Sequence, residues 1–130
     1  MVERMTELPT DVLQGRRLLV VEDDYWLADD LARSLEELGA EVVGPVGSIH
    51  DALAQIAGDG ALDGAVLDIN LNGHQVYAVA DALAARRVPF VFTTGYDRVA
   101  VPETYAAIPL CTKPTDALAL AKCLAAELTR

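Results

Sequence analysis

Four short apolar runs in this chain each end in polar side chains, and no other feature constrains its fold as tightly. Leu18-Leu19-Val20-Val21 runs into Glu22-Asp23-Asp24, Ala65-Val66-Leu67 into Asp68, Phe90-Val91-Phe92 into Thr93-Thr94, and Leu110-Cys111-Thr112 into Lys113-Pro114. A strand buried on both faces reads as a short apolar run, the mark of a parallel sheet covered by helices. In open α/β sheets the functional groups gather outside the carboxyl ends of the strands. If the four runs are neighbouring parallel strands, the acids, the hydroxyls and the amine converge on one edge.

The intervening segments read as helices. Leu27, Leu31, Leu35 and Leu38 fall at helical spacing and are closed by Gly39 as a left-handed cap. Glu41-Val42-Val43-Gly44 forms a short second strand. Ser48, with Asp51 three residues on, starts a helix whose Ile49, Leu53 and Ile56 share a face and which Gly58-Asp59-Gly60 ends. A loop carrying Asn70, Asn72 and Gly73 follows Asp68, then an Ala-rich helix over about Gln75 to Ala85. Pro89 opens the fourth strand, Pro102-Glu103 begins a short helix through Ala106, and Pro109 holds the fifth strand to a few residues. Thr115 caps a last helix carrying Leu118, Ala121, Leu124 and Leu128. Five strands alternating with helices imply right-handed crossovers and a parallel sheet with both faces covered.

A chain of 130 residues has the size of one domain. Residues 1–15, with Pro9, Gly15 and no sustained periodicity, read as a leader in which Thr10 to Gln14 forms a short helix; residues 16–130 read as the folded domain. A formal net charge of −10 argues against direct nucleic-acid binding, because a phosphate backbone is repelled. No apolar stretch reaches the roughly eighteen residues of a membrane span, and the first residues lack the apolar core of a signal peptide, so a cytoplasmic protein is expected. Cys111 and Cys123 show no metal or redox spacing and read as reduced packing residues.

The convergent acids propose a cofactor. Carboxylates crowded into one pocket repel each other unless a divalent cation lies among them, and hard oxygen donors suit Mg²⁺. A lone Asp at a strand end is more often a loop residue or a helix cap, so the case for Asp68 rests on its ordered partners.

Taken in order, Glu22 and Asp23, Asp68, Thr94, and Lys113 before Pro114 resemble the receiver domain of bacterial two-component response regulators, over about Arg16 to Leu128. The resemblance implies a doubly wound (βα)5, flavodoxin-like fold with a five-stranded parallel sheet in the order 2-1-3-4-5. It implies Mg²⁺ held by Glu22, Asp23, Asp68 and the backbone carbonyl of Asn70. Asp68 becomes the phosphoacceptor for a sensor histidine kinase or phosphotransfer protein, while Thr94 and Lys113 contact the phosphoryl group. Asp24 is then a solvated residue at the helix start, Thr93 a strand residue facing the helices, and the side chain of Asn70 a guide for the hydrolytic water. A cis bond between Lys113 and Pro114 is expected to aim the amine inward. The output implied is contact with a downstream protein, with a homodimer left open and with no membrane or nucleic-acid partner.

The segment Pro89-Phe90-Val91-Phe92-Thr93-Thr94-Gly95-Tyr96 further resembles stand-alone receivers of alphaproteobacteria, which bear a Phe-Ala-Thr-Gly-Xaa-Tyr signature and act in stress-response phosphorelays. Thr93 stands in place of the Ala, and Asp97 in place of the final Tyr. The loop after Asp68 lacks the family's Pro-containing stretch, Thr115 replaces the common Phe, and Leu110 replaces the aromatic switch residue. Tyr96 or Tyr105 must then report phosphorylation if any aromatic does, with Tyr96 the one expected because it lies two residues beyond Thr94, and Tyr96 is also expected to shield the phosphate from water. His50 and His74 are expected at the surface. Three other readings fit the residues less well. A haloacid-dehalogenase-type enzyme needs an acid where Asn70 stands, a flavodoxin-like cofactor binder needs a Gly-rich loop after the first strand, and an unphosphorylated interaction module needs none of the chemical groups present.

Overall fold

Helical and strand patterns alternate from Arg17 onward, and the folded elements follow them. The computed structural model describes residues 13–95, 101–113 and 117–129. In chain order these form β1 (Arg17–Val21), α1 (Tyr25–Glu37), β2 (Glu41–Val46), α2 (Ile49–Gly58), β3 (Gly64–Asp68), β4 (Asn70–Leu71), β5 (His74–Gln75), α3 (Tyr77–Ala85), β6 (Phe90–Thr94), a 3₁₀ turn (Glu103–Tyr105), β7 (Leu110–Thr112) and α4 (Ala117–Leu128). The main sheet is parallel and runs β2-β1-β3-β6-β7. With the small β4–β5 hairpin set aside, this is the expected 2-1-3-4-5 order of a doubly wound flavodoxin-like sheet.

Two apolar layers hold the helices to the sheet. Alternation along β1 sends Leu19 and Val21 to one face, where they meet Ala52 and Ile56 of α2 and Val79, Ala80 and Leu83 of α3. Leu18 and Val20 go to the other face, against Leu35 of α1 and Leu120, Ala121 and Leu124 of α4. Each fully buried Leu contributes about 2 kcal/mol relative to exposure. Leu13, inside the segment read as a leader, is fully buried in the second layer, and Gly15 donates its N–H to the Gly39 carbonyl at 2.8 Å. Leu13 to Gly15 form a turn; the rest of the short helix expected over Thr10 to Gln14 lies outside the described residues.

Local sequence sets the ends. Asp24 caps α1, its carboxylate accepting from the Leu27 N–H at 3.1 Å, and Gly39 closes the helix with φ +96°. Ser48 Oγ accepts from the Asp51 N–H at 3.0 Å at the start of α2. β2 continues two residues past its expected end at Gly44. Gly44 adopts φ +94° before a cis bond to Pro45, and the β1–β2 register shifts between Leu19 and Val21. A bulge of this kind suits an edge strand, where a proline breaks no ladder on the outer side.

Two further differences concern segments leaving the sheet. The loop after Asp68 is a β-hairpin whose two-residue turn, Asn72-Gly73, has φ +52° and +88°, so α3 begins at Tyr77 rather than Gln75. Asn-Gly is the pair that tolerates two successive positive φ values. The short helix expected from Pro102 is a single 3₁₀ turn. The expected Thr115 cap lies outside the described residues. Among the described residues no helix is long and apolar enough to cross a membrane.

Candidate metal and phosphoryl site

Because β1, β3, β6 and β7 run parallel, their carboxyl ends bring Glu22, Asp68, Thr94 and Lys113 to one edge. Glu22 follows the last residue of β1, and its backbone N–H bonds to the Val46 carbonyl at 2.9 Å, so the bulged end of β2 fixes it. Asp68 is the last residue of β3 and only 3% exposed. One carboxylate oxygen from each of Glu22, Asp23 and Asp68 lies within 4.8 Å of the others. Of the three consecutive acids, Glu22 and Asp23 lie in this cluster, and Asp24 caps α1.

Lys113 reaches into this cluster. Its Nζ donates to Glu22 Oε1 at 2.8 Å and to Asp68 Oδ2 at 2.9 Å, and its side chain is 15% exposed. The amine therefore points inward, as expected; Pro114, whose peptide bond was to aim it, lies outside the described residues. The backbone assists, since the Lys113 N–H bonds to the Thr94 carbonyl at 2.7 Å. Burial works to lower the Lys113 pKa, but the bonds to Glu22 and Asp68 outweigh it and the net direction is upward. Burial pushes Glu22 up to about 7 despite its bonds from Lys113 and from the Asp24 N–H. Both shifts are upward, which is not how a simple two-member ion pair behaves. One ammonium shared between two buried carboxylates resolves this: Asp68 and Glu22 together keep Lys113 charged, while half a counter-charge is too little for Glu22.

Thr94 ends β6 and is buried, one residue beyond Thr93, the register partner of Asp68. Thr93 is buried within the strand at this same edge. Asn70 donates its backbone N–H to Asp68 Oδ1 at 3.2 Å. Its side-chain oxygen is engaged, accepting from the Gly73 N–H at 2.7 Å, so it stiffens the hairpin. Sequence reasoning missed Asn72, whose backbone N–H donates to Asp23 Oδ2 at 2.8 Å and ties the hairpin tip to the acidic turn. The signal was present in the Asn72-Gly73 pair. His50 and His74 are exposed, as expected, and Tyr96 and Asp97 lie outside the described residues.

The donor set fits Mg²⁺. Three clustered carboxylates, those of Glu22 and Asp68 buried and that of Asp23 half-buried, are hard oxygen ligands with an excess of negative charge that Lys113 does not cancel.

No protein-family model matches this sequence, and no curated protein sequence does. Solved structures do match. The chain is 35% identical to SdrG from Sphingomonas melonis Fr1, covering 95% of this chain and 100% of that one with a TM-score of 0.78. The BeF3-activated conformation of SdrG, from Pseudomonas melonis Fr1, matches at 42% identity over 86% of this chain and 95% of that one, TM-score 0.72. A CheY-like receiver domain from Methylobacillus flagellatus matches at 26% identity over 84% and 94%, TM-score 0.70. The chain belongs to the response regulator receiver domains. Within that class it is similar to SdrG over 95% of the chain.

Proposed function

We infer that this chain is a phosphoacceptor receiver, taking a phosphoryl group onto Asp68 from a phosphohistidine of a sensor histidine kinase or phosphotransfer protein. The observation that carries the reading is the buried Asp68 carboxylate held between an ammonium and two further acids at the carboxyl edge of the sheet. A structural ion pair needs one acid per base; three clustered acids, two of them bonded to one lysine, leave room for a cation and a ligand that carries charge.

Asp68 attacks phosphorus as the donor's phosphorus–nitrogen bond breaks, and the bonding pair stays on the imidazole. Little covalent work falls to the protein, so positioning and charge dominate. Glu22, Asp23, Asp68 and the Asn70 carbonyl would hold Mg²⁺, which when bound supplies positive charge between the carboxylates and the phosphoryl oxygens. Lys113 neutralises the acyl phosphate from the other side. The Thr94 hydroxyl donates to a phosphoryl oxygen. Tyr25 and Trp26, 77% and 79% exposed on the first turn of α1 beside the acidic turn, offer the donor protein an apolar landing. The chain passes its state on by protein contact in the cytoplasm.

Incubation with Mg²⁺ and acetyl phosphate, followed by intact-mass measurement, tests the reading. Wild type should gain one phosphoryl group and Asp68→Ala none. An unmodified wild type would mean that the chain serves as an interaction module.

A further inference from the structure

Cys111 and Cys123 stand too far apart in sequence to form a redox motif, yet the fold brings them together. Alternation along β7 sends Leu110 to the first apolar layer and Cys111 to the second, the layer that α4 covers. Cys123 lies one helical turn beyond Leu120 on α4 and packs against that same layer. The two thiols meet there in hydrogen-bonding contact, each of them free and half-buried. Burial pushes the Cys111 thiol up to about 11, and the neighbouring Cys123, through its charge and its hydrogen bond, adds to the shift. Cys111 therefore stays protonated at neutral pH and is a poor nucleophile by itself. The first attack on an oxidant falls to Cys123.

The place of Cys111 in the sheet gives this pair a consequence. Cys111 is the register partner of Thr93, and Thr93 that of Asp68, so one row of residues runs from the thiol to the buried acid. Lys113, whose amine bonds to Asp68 and Glu22, follows two residues after Cys111. A disulfide requires the sulfurs to close to about 2.0 Å, well inside the contact of two thiols, and so draws β7 toward α4. β7 can yield, because it is a three-residue edge strand paired with β6 alone.

We propose that Cys111 and Cys123 form a reversible disulfide under hydrogen peroxide, and that the closed bond slows phosphoryl transfer to Asp68 by drawing Lys113 off its place. The second half of this proposal rests on the phosphoacceptor reading above. In the first step the Cys123 sulfur attacks one peroxide oxygen, the oxygen–oxygen bond breaks, and the leaving hydroxide takes the thiol proton as water. Cys123 is then a sulfenic acid. The Cys111 sulfur attacks the Cys123 sulfur and displaces hydroxide, which takes the Cys111 proton as a second water. Two thiols lose two electrons and one peroxide gains them. A bond of this kind in a reducing compartment is transient, the behaviour of a sensor rather than of a structural crosslink.

The test uses the whole chain, first reduced and then treated with hydrogen peroxide. Wild type should lose two hydrogen atoms in mass while staying the same size in solution, and peptide mapping without reductant should join the segments holding Cys111 and Cys123. Cys111→Ser should stop at a sulfenic acid on Cys123 that dimedone traps. With Mg²⁺ and acetyl phosphate, the oxidised wild type should gain phosphate about tenfold or more slowly than the reduced protein, the scale of a small misplacement at a reacting centre. Dithiothreitol should restore the rate, and peroxide should leave the rate of Cys123→Ser unchanged. A wild type that keeps both thiols, or that is oxidised further on Cys123 without forming the bond, overturns the pair. A mapped disulfide with an unchanged rate overturns its coupling to the site. Reduced protein that takes no phosphate overturns the phosphoacceptor reading, whereas the mapping decides the disulfide by itself.

Discussion

Lys113 Nζ lies 2.9 Å from Asp68 Oδ2, across a separation of 45 residues in sequence. Parallel strand order alone makes this contact possible, and burial makes it consequential. Removing the ammonium leaves Asp68 and Glu22 without their shared counter-charge. Lys113→Met should therefore destabilise the metal-free protein at neutral pH by about 3 kcal/mol, with Mg²⁺ restoring part of the loss. Urea unfolding in EDTA and in Mg²⁺ measures both. Equal stability of variant and wild type in EDTA would show that the pair carries no net energy.

Asp23 contributes charge to the cluster and accepts the Asn72 N–H. Asp23→Asn keeps an acceptor for that bond and removes only the charge. It should weaken Mg²⁺ binding tenfold or more, about 1.4 kcal/mol, and raise stability in EDTA by relieving repulsion. Isothermal titration and unfolding give the two numbers. Lower stability with Mg²⁺ affinity untouched would show that Asp23 is not a ligand.

Asp24 supplies the control. Its carboxylate caps α1 through the Leu27 N–H, so Asp24→Ala should cost about 1 kcal/mol of stability and leave Mg²⁺ affinity unchanged. A loss of Mg²⁺ affinity there would show that Asp24 belongs to the metal site.

Much of this site was legible in the sequence because each group ends an apolar run, and parallel strands present such ends at one edge. Asp24, expected at the helix start, caps α1, while carboxylate oxygens of Glu22, Asp23 and Asp68 lie within 4.8 Å of one another. What sequence reading missed is the geometry of departures from the sheet. The Asn72-Gly73 pair marks a two-residue hairpin turn, yet strands of two residues, Asn70–Leu71 and His74–Gln75, are too short to show a period. β2 outran its expected end because Gly44 was read as a terminus, whereas its positive φ builds a bulge. The contact of Tyr105 with Tyr77 and Asp81 joins segments 28 and 24 residues apart, a pairing that no local pattern encodes.

At the opposite edge, Arg17 pairs with Asp59 and Glu41. The bond from Arg17, aided by the Ala61 N–H, lowers the Asp59 pKa below the ordinary carboxylate range. A folded-state pKa below the unfolded one adds stability above the unfolded pKa and loses it as pH falls through the folded value. Asp59→Asn should accordingly be less stable than wild type at pH 7, and the gap should close in acid as pH falls through the lowered folded-state pKa. A gap that persists at low pH would mean that the ionised Asp59 is not its source.

The central claim is that Asp68 itself carries the phosphate. Borohydride reduces an acyl phosphate and marks the aspartate that held it, while leaving a phosphohistidine unmarked, so peptide mapping after phosphorylation and reduction names the acceptor directly. The account predicts a reduced residue at position 68 alone, present in wild type with Mg²⁺ and lost in EDTA. A mark at Asp23 or Asp24, or phosphate retained at His50 or His74 with position 68 unreduced, would contradict it.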